Sequence, residues 1–139
     1  MTPDAGFELL EHTADLGIRA WGTTAPEAFG QAARALVEVM GIRVDAPGRR
    51  RVVKASAQDP AGVLVAFLNE LIWFHETESV GFAAIDVIAL SDSGLVAEVE
   101  AAPLPEAAVG IGVKAATYHQ VRVERRPGVG VEVRVFLDV

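Results

Sequence analysis

Two acidic groups come together at the last residues of the sequence, where Asp138 is followed by Val139. Residues 131–137 alternate apolar and polar side chains as a strand does, so we expect Asp138 and the terminal α-carboxylate to lie side by side at a strand end. Two negative charges held that close are unfavourable unless a positive group lies nearby. The ending therefore predicts a metal ion or a basic partner at this position.

A third carboxylate, that of Asp15, would complete an all-oxygen cluster with Asp138 and Val139. Oxygen ligands are the ones that calcium and magnesium prefer. Spacing alone does not bring Asp15 to the end of the chain. On spacing alone Asp15 is more simply a turn residue and Asp138 a solvated strand end, because single Asp residues are mostly exposed. Both interpretations stay open at this point.

Other catalytic chemistry has little support in the sequence. His12 could act as a ligand, as a general base or as a hydrogen-bonding core residue. The chain has no cysteine, and no second histidine lies near His12, so a zinc site is weakly indicated. No glycine-rich phosphate loop and no local Ser/His/Asp signature is present. Lys114 is one of the few lysines, and its simplest interpretation is an exposed strand residue.

Two helices are predicted from their start and stop signals. Thr24 is a capping residue ahead of an apolar pattern of helical spacing, and Gly41 is a natural stop. Asp59 and Pro60 have the types expected at the cap and first position of a second helix, which continues with a broad apolar face.

The remaining patterns are those of strands. They cover residues 7–10, 16–22, 51–57, 84–90, 95–101, 113–124 and 131–137. Short turns between neighbouring strands indicate antiparallel pairing. We therefore predict the α+β class, as a mostly antiparallel β-sheet structure with two amphipathic α-helices packed on it, in a single domain over residues 1–139.

The last hairpin predicts what lies beside the chain end. If residues 127–130 form a four-residue loop, Asp138 faces His119, and a two-residue turn moves this partner to Thr117. In either register Lys114 follows a few residues along the same strand. It is then a positive group near the two carboxylates.

Composition narrows the class of protein. The net charge of −7 disfavours direct nucleic-acid binding, because proteins that bind nucleic acid usually carry a basic face. No apolar run approaches the ~20 residues of a membrane helix, and the first residues lack a signal-peptide pattern. The absence of cysteine fits a reducing compartment. We predict a cytoplasmic protein that does not bind a membrane.

Four motifs follow one another along the chain. They are Glu11-His12-Thr13-Ala14-Asp15-Leu16-Gly17, Phe67-Leu68-Asn69-Glu70-Leu71, Val113-Lys114-Ala115-Ala116-Thr117-Tyr118-His119 and the ending Leu137-Asp138-Val139. Together and in this order they resemble the archease family, over essentially the whole chain. One departure lies at residues 103–112, where many archeases carry a longer polar loop and this chain has Glu106 as the only charge.

The resemblance implies an accessory protein that is not itself an enzyme and has no catalytic residue. Archeases assist the GTP-dependent RNA ligase of tRNA splicing by promoting guanylylation of its active-site histidine, and they support multiple turnover and wider nucleotide use. The resemblance also implies a metal site, with calcium as the expected ion, formed by Asp15, Asp138 and Val139. Magnesium or manganese would accept the same oxygens. Lys114 is implied to be functional, and His12 is a further candidate that faces the partner.

Two other functions compete with this one. The first is a chaperone or modulator of a tRNA-modifying enzyme, such as a tRNA methyltransferase. The second is a stand-alone metal-dependent phosphohydrolase that uses Asp15 and Asp138, for which the sequence offers no clear base beyond His12.

Overall fold

The structure is a computed structural model that describes residues 4–11, 15–105 and 110–139, with Glu11 described by its backbone alone. The described elements are, in chain order, β1 (Gly6–Glu11), β2 (Asp15–Gly22), α1 (Ala25–Met40), β3 (Arg49–Ser56), α2 (Pro60–Glu78), β4 (Val80–Leu90), β5 (Gly94–Pro103), β6 (Ala115–Arg126) and β7 (Gly130–Asp138). The predicted α+β class is confirmed, and the strands pair antiparallel throughout the named ladders.

The strands form two sheets with the helices between them. Sheet A has the order β1-β2-β7-β6, and sheet B has the order β3-β5-β4. Helix α1 packs on β2 and β4, whereas α2 packs on β6 and β3, so each helix contacts both sheets. For this reason α2 is apolar on more sides than packing on one sheet would require. Five of its residues, Val63, Leu64, Val65, Phe67 and Leu68, are at most 1% exposed.

Local capping determines where the helices begin and end. The Thr24 hydroxyl accepts the Glu27 N–H at 3.3 Å, and Gly41 ends α1 with φ of 65°, a conformation that glycine adopts without strain. The hydroxyl and the N–H of Thr23 donate to Glu27, which lowers the pKa of that carboxyl below its usual 4.5. Asp59 caps α2 by accepting the N–H of the third residue of the helix. Neither described helix is long and apolar enough to cross a membrane.

Sheet A has an inner face toward the helices and an outer face away from them. Ile18 of β2 and Leu137 of β7 are fully buried on the inner face. Because side chains alternate along a strand, odd-numbered residues of β2 and even-numbered residues of β7 lie on the outer face. There Glu132, only 6% exposed, is neutralised by Arg19 at 2.6 Å and Arg126 at 3.3 Å.

Candidate functional site

Asp15 and Asp138 face each other across the two central strands of sheet A. Asp15 is the first residue of β2 and Asp138 the last residue of β7, and the antiparallel register pairs them directly. Side chains paired in this way point to the same side of a sheet, with Cβ atoms about 5 Å apart. The next pair, Leu16 and Leu137, packs on the core, so the two carboxylates lie on the outer face.

Two other pairs of facing carboxylates show how such repulsion is offset elsewhere in the protein. In sheet A, Arg126 pairs with both Glu124 and Glu132, at 3.6 and 3.3 Å. In sheet B, Asp86 faces Glu98, and an arginine of β3, Arg50, lies 3.5 Å from the Glu98 carboxylate. Each pair thus has a guanidinium group within ion-pair distance of at least one member.

The Asp15–Asp138 pair differs from these two. Within residues 4–11, 15–105 and 110–139, no basic side chain forms an ion pair with either carboxylate. Like charges directly opposite each other destabilise a sheet, so this position favours a cation or a basic group of a partner. Two carboxylates on one face also have the chemistry that hard divalent cations prefer.

The third predicted ligand is the α-carboxylate of Val139. Val139 directly follows Asp138 and is 43% exposed. In the part of the chain that the structure describes, no group of three or more His, Cys, Asp or Glu residues could hold a metal ion. Among the described residues, the side chains of Asp15 and Asp138 are therefore the two carboxylates at this site, and metal binding stays a prediction.

Lys114 lies beside Asp138 through its backbone. Its N–H donates to the Asp138 carbonyl at 2.8 Å, and the next residue, Ala115, pairs with Asp138 in the ladder between β6 and β7. The Lys114 side chain is exposed. It therefore presents a positive charge at the same end of sheet A as the two carboxylates.

The predicted partners of Asp138, His119 and Thr117, are wrong. Residues 118–121 of β6 lie opposite a single residue of β7, which shifts the pairing so that Asp138 faces Ala115. Such an irregularity inserts extra residues into one strand and is unrelated to the length of the turn. Counting from the turn therefore gave the wrong register, although it placed the correct strand beside the chain end.

The extra residues of β6 cover the outer face next to the carboxylates. The rings of His119 and Phe136 have centroids 6.4 Å apart and lie nearly edge to face. Phe136 in turn packs against Gly17, where a Cβ atom would come within 2.8 Å of the ring. This packing leaves Phe136 only 8% exposed on the outer face. It gives a structural role to His119.

His12 and Glu106 lie outside the described residues, so the predicted role of His12 stays a prediction. The third histidine, His75, belongs to the end of α2. Its Nδ1 lies 2.8 Å from the carbonyl oxygen of Val80, to which it donates a hydrogen bond. His75 thus supports the chain after the helix and is not part of the site.

Sequence reasoning assigned no role to Asn69. Its carboxamide makes two hydrogen bonds to the backbone of Ala116, close to Lys114 and Asp138. The signal in the sequence was a lone carboxamide within the apolar run of α2.

Comparison with known proteins gives a consistent result. The sequence model of the Archease protein family (MTH1598/TM1083) matches residues 7–139. The chain is similar to protein archease of Thermococcus gammatolerans, with 34% identity over 133 residues that cover 87% of this chain and 89% of the relative. It is also 34% identical to protein archease of Methanothermobacter thermautotrophicus, covering 96% and 99% of the two chains.

Two solved structures have a similar fold. The solution structure of Methanobacterium thermoautotrophicum protein 1598 matches with a TM-score of 0.72 and 30% identity, covering 96% of this chain and 99% of the other. The crystal structure of an archease described as a possible chaperone, from Thermotoga maritima, matches with a TM-score of 0.65 and 21% identity, covering 95% and 96%. At that lower identity the second match supports the fold alone.

Proposed function

This chain belongs to the archease family, and on that premise we propose that it activates the RNA ligase of tRNA splicing without being an enzyme itself. In this role it promotes guanylylation of the ligase, supports repeated turnover and broadens the nucleotides that the ligase accepts. The observation that carries the proposal is the direct pairing of Asp15 with Asp138 in a chain whose residues 7–139 match the family.

The proposal includes a divalent cation bound by Asp15 and Asp138, with the Val139 α-carboxylate as a further ligand. Calcium is the first candidate, and magnesium or manganese would use the same oxygens. The facing carboxylates fit such an ion because no described basic side chain offsets their charge. When bound, the ion supplies positive charge that can neutralise or orient a triphosphate. Lys114 presents a second positive group at the same end of sheet A.

The partner in this proposal is a protein. A chain with a net charge of −7 would be repelled by a phosphate backbone unless it carried a local basic face. Several arginines of the described sheet faces are already paired with glutamates, as in the pairs Arg51–Glu78 and Arg19–Glu132. Contact through the acidic end of sheet A therefore fits the ligase and its bound nucleotide better than it fits RNA directly.

A chaperone-like modulator of a tRNA-modifying enzyme is the competing proposal. The description of the Thermotoga maritima protein as a possible chaperone is in line with it, but the 21% identity of that protein limits the comparison to the fold. A stand-alone hydrolase would need a base or nucleophile at the pair. The described residues provide no third His, Cys, Asp or Glu that joins Asp15 and Asp138 in a metal-binding group.

The proposal is tested by measuring guanylylation of the ligase from the same organism, with GTP and limiting amounts of this protein. We expect faster guanylylation and more than one ligation per ligase molecule. The variant Asp138→Asn should abolish this stimulation while the protein stays folded. Asp86→Asn is the matched control, because it also removes one of two facing carboxylates and lies on sheet B, away from the site. Stimulation by Asp138→Asn equal to that of the control contradicts the proposal.

A further inference from the structure

The segment of β6 that lies beside Asp138 is weakly held by its own sheet. Its ladder with β7 comprises the pairs from Ala115 to Thr117, after which residues 118–121 interrupt it. Gln120, within this interruption, has φ of 54°, so the backbone there leaves the extended conformation. Residues 110–114 ahead of β6 belong to no strand. A short ladder between two irregular segments needs support from elsewhere.

Asn69 of α2 supplies this support. Its Nδ2 donates to the Ala116 carbonyl at 3.1 Å, and its Oδ1 accepts the Ala116 N–H at 2.8 Å. β6 is the edge strand of sheet A, and in an antiparallel ladder alternate residues turn their backbone groups away from the partner strand. The carboxamide therefore takes the place that a neighbouring strand would occupy. Because α2 packs on both sheets through its buried residues, it holds the Asn69 backbone in a defined position.

The segment held in this way includes Lys114 and lies directly beside Asp138. On its other side, Ala115 pairs with Asp138, and the Lys114 N–H donates to the Asp138 carbonyl at 2.8 Å. We propose that Asn69 is a positioning residue, which clamps the segment Lys114–Ala116 between α2 and the strand end that carries Asp138. The position of the clamp follows from the two hydrogen bonds between Asn69 and Ala116. Its expected effect on metal binding rests on the proposed function.

Backbone hydrogen exchange tests the clamp directly. In Asn69→Ala, the Lys114 and Ala116 amides should exchange at least about tenfold faster than in the wild type, since two hydrogen bonds are lost. Amides of β2 and of the inner part of β7 should keep their protection. Asn69→Asp keeps an acceptor for the Ala116 N–H but has no donor, so it should restore part of the protection at Ala116. Glu70→Ala is the control, because Glu70 is the next residue, exposed and without a described bond to β6.

Calcium titration of the same proteins by calorimetry measures the consequence for the site. A loosened support should weaken calcium binding by about tenfold, as is common when a group that orients metal ligands is removed. Unchanged exchange at Lys114 and Ala116 in Asn69→Ala overturns the clamp, and so does faster exchange spread evenly over sheet A, which would mean a general loss of stability. If the wild type binds no calcium, the proposed metal site fails, while the exchange result still decides the role of Asn69.

Discussion

Replacing Asp138 with Asn should stabilise the protein in the absence of divalent cations and abolish its response to them. The reason is the direct pairing of Asp138 with Asp15, which places two like charges opposite each other. At a separation of about 5 Å, two unit charges repel by about 1 kcal/mol in a water-like dielectric and by more where the surroundings are less polar. We therefore expect Asp138→Asn to raise the free energy of unfolding by about 1 kcal/mol at low salt and by about half of that at 0.15 M salt.

Calcium should make the wild type more stable to unfolding than Asp138→Asn, the reverse of the order expected without divalent cations. A ligand that binds the folded state alone stabilises it by about 2.7 kcal/mol when present at a hundred times its Kd. The wild type should gain such an increment, whereas Asp138→Asn, with one charged ligand fewer, should gain little. The assay is urea unfolding with a chelator and again with calcium, each at two salt concentrations.

Asp86→Asn is the control for charge alone. Asp86 also faces a carboxylate, that of Glu98, but Arg50 already lies 3.5 Å from Glu98. In the presence of the chelator, the free energy of unfolding of this variant should be little higher than that of the wild type. Calcium should stabilise the variant and the wild type equally. The reasoning is refuted if Asp138→Asn is no more stable than the wild type in the chelator and both proteins respond equally to calcium.

Three further substitutions test the surroundings of the site and the helix caps. Gly17→Ala should lower the free energy of unfolding by about 1–3 kcal/mol in urea titrations, because the new Cβ would meet the Phe136 ring at 2.8 Å. Asp59→Ala should cost about 1 kcal/mol in the same assay, because it removes the N-cap of α2. Glu27 has a lowered pKa through its hydrogen bonds from Thr23, so its contribution is present above the ordinary pKa of 4.5 and lost as pH falls below it. The stability advantage of the wild type over Glu27→Gln should therefore shrink between about pH 5 and pH 3.

Helix bounds were predictable from the sequence because they depend on neighbouring residues. Thr24, Gly41 and Asp59 act within one turn of the helix that each begins or ends, and all three have the predicted role. The two-sheet arrangement was not predictable in the same way. The apolar run of α2 indicated burial, but only packing shows that β3 and β6 of different sheets cover it.

The candidate site could not be predicted from neighbouring residues in the sequence. Asp15 and Asp138 lie at opposite ends of the sequence, and their pairing depends on β2 and β7 becoming neighbours in sheet A. Only the family resemblance connected them. The predicted register beside the site failed because residues 118–121 interrupt the ladder between β6 and β7, and the length of the turn carries no information about this interruption.

The role of Asn69 was also beyond sequence reasoning. A carboxamide on a helix is usually solvated, and nothing in its spacing indicates that it binds an edge strand. The structure gives both hydrogen bonds to Ala116, and these bonds connect α2 to the segment beside Asp138.

The number of ligation cycles per molecule of the RNA ligase, measured with GTP and with other nucleotides, tests the proposed activation most directly. We expect the wild-type protein and Asp86→Asn to raise this number above one and to widen nucleotide use, and we expect Asp138→Asn to do neither. If the ligase turns over equally with and without the wild-type protein, the protein is not an activator of the ligase.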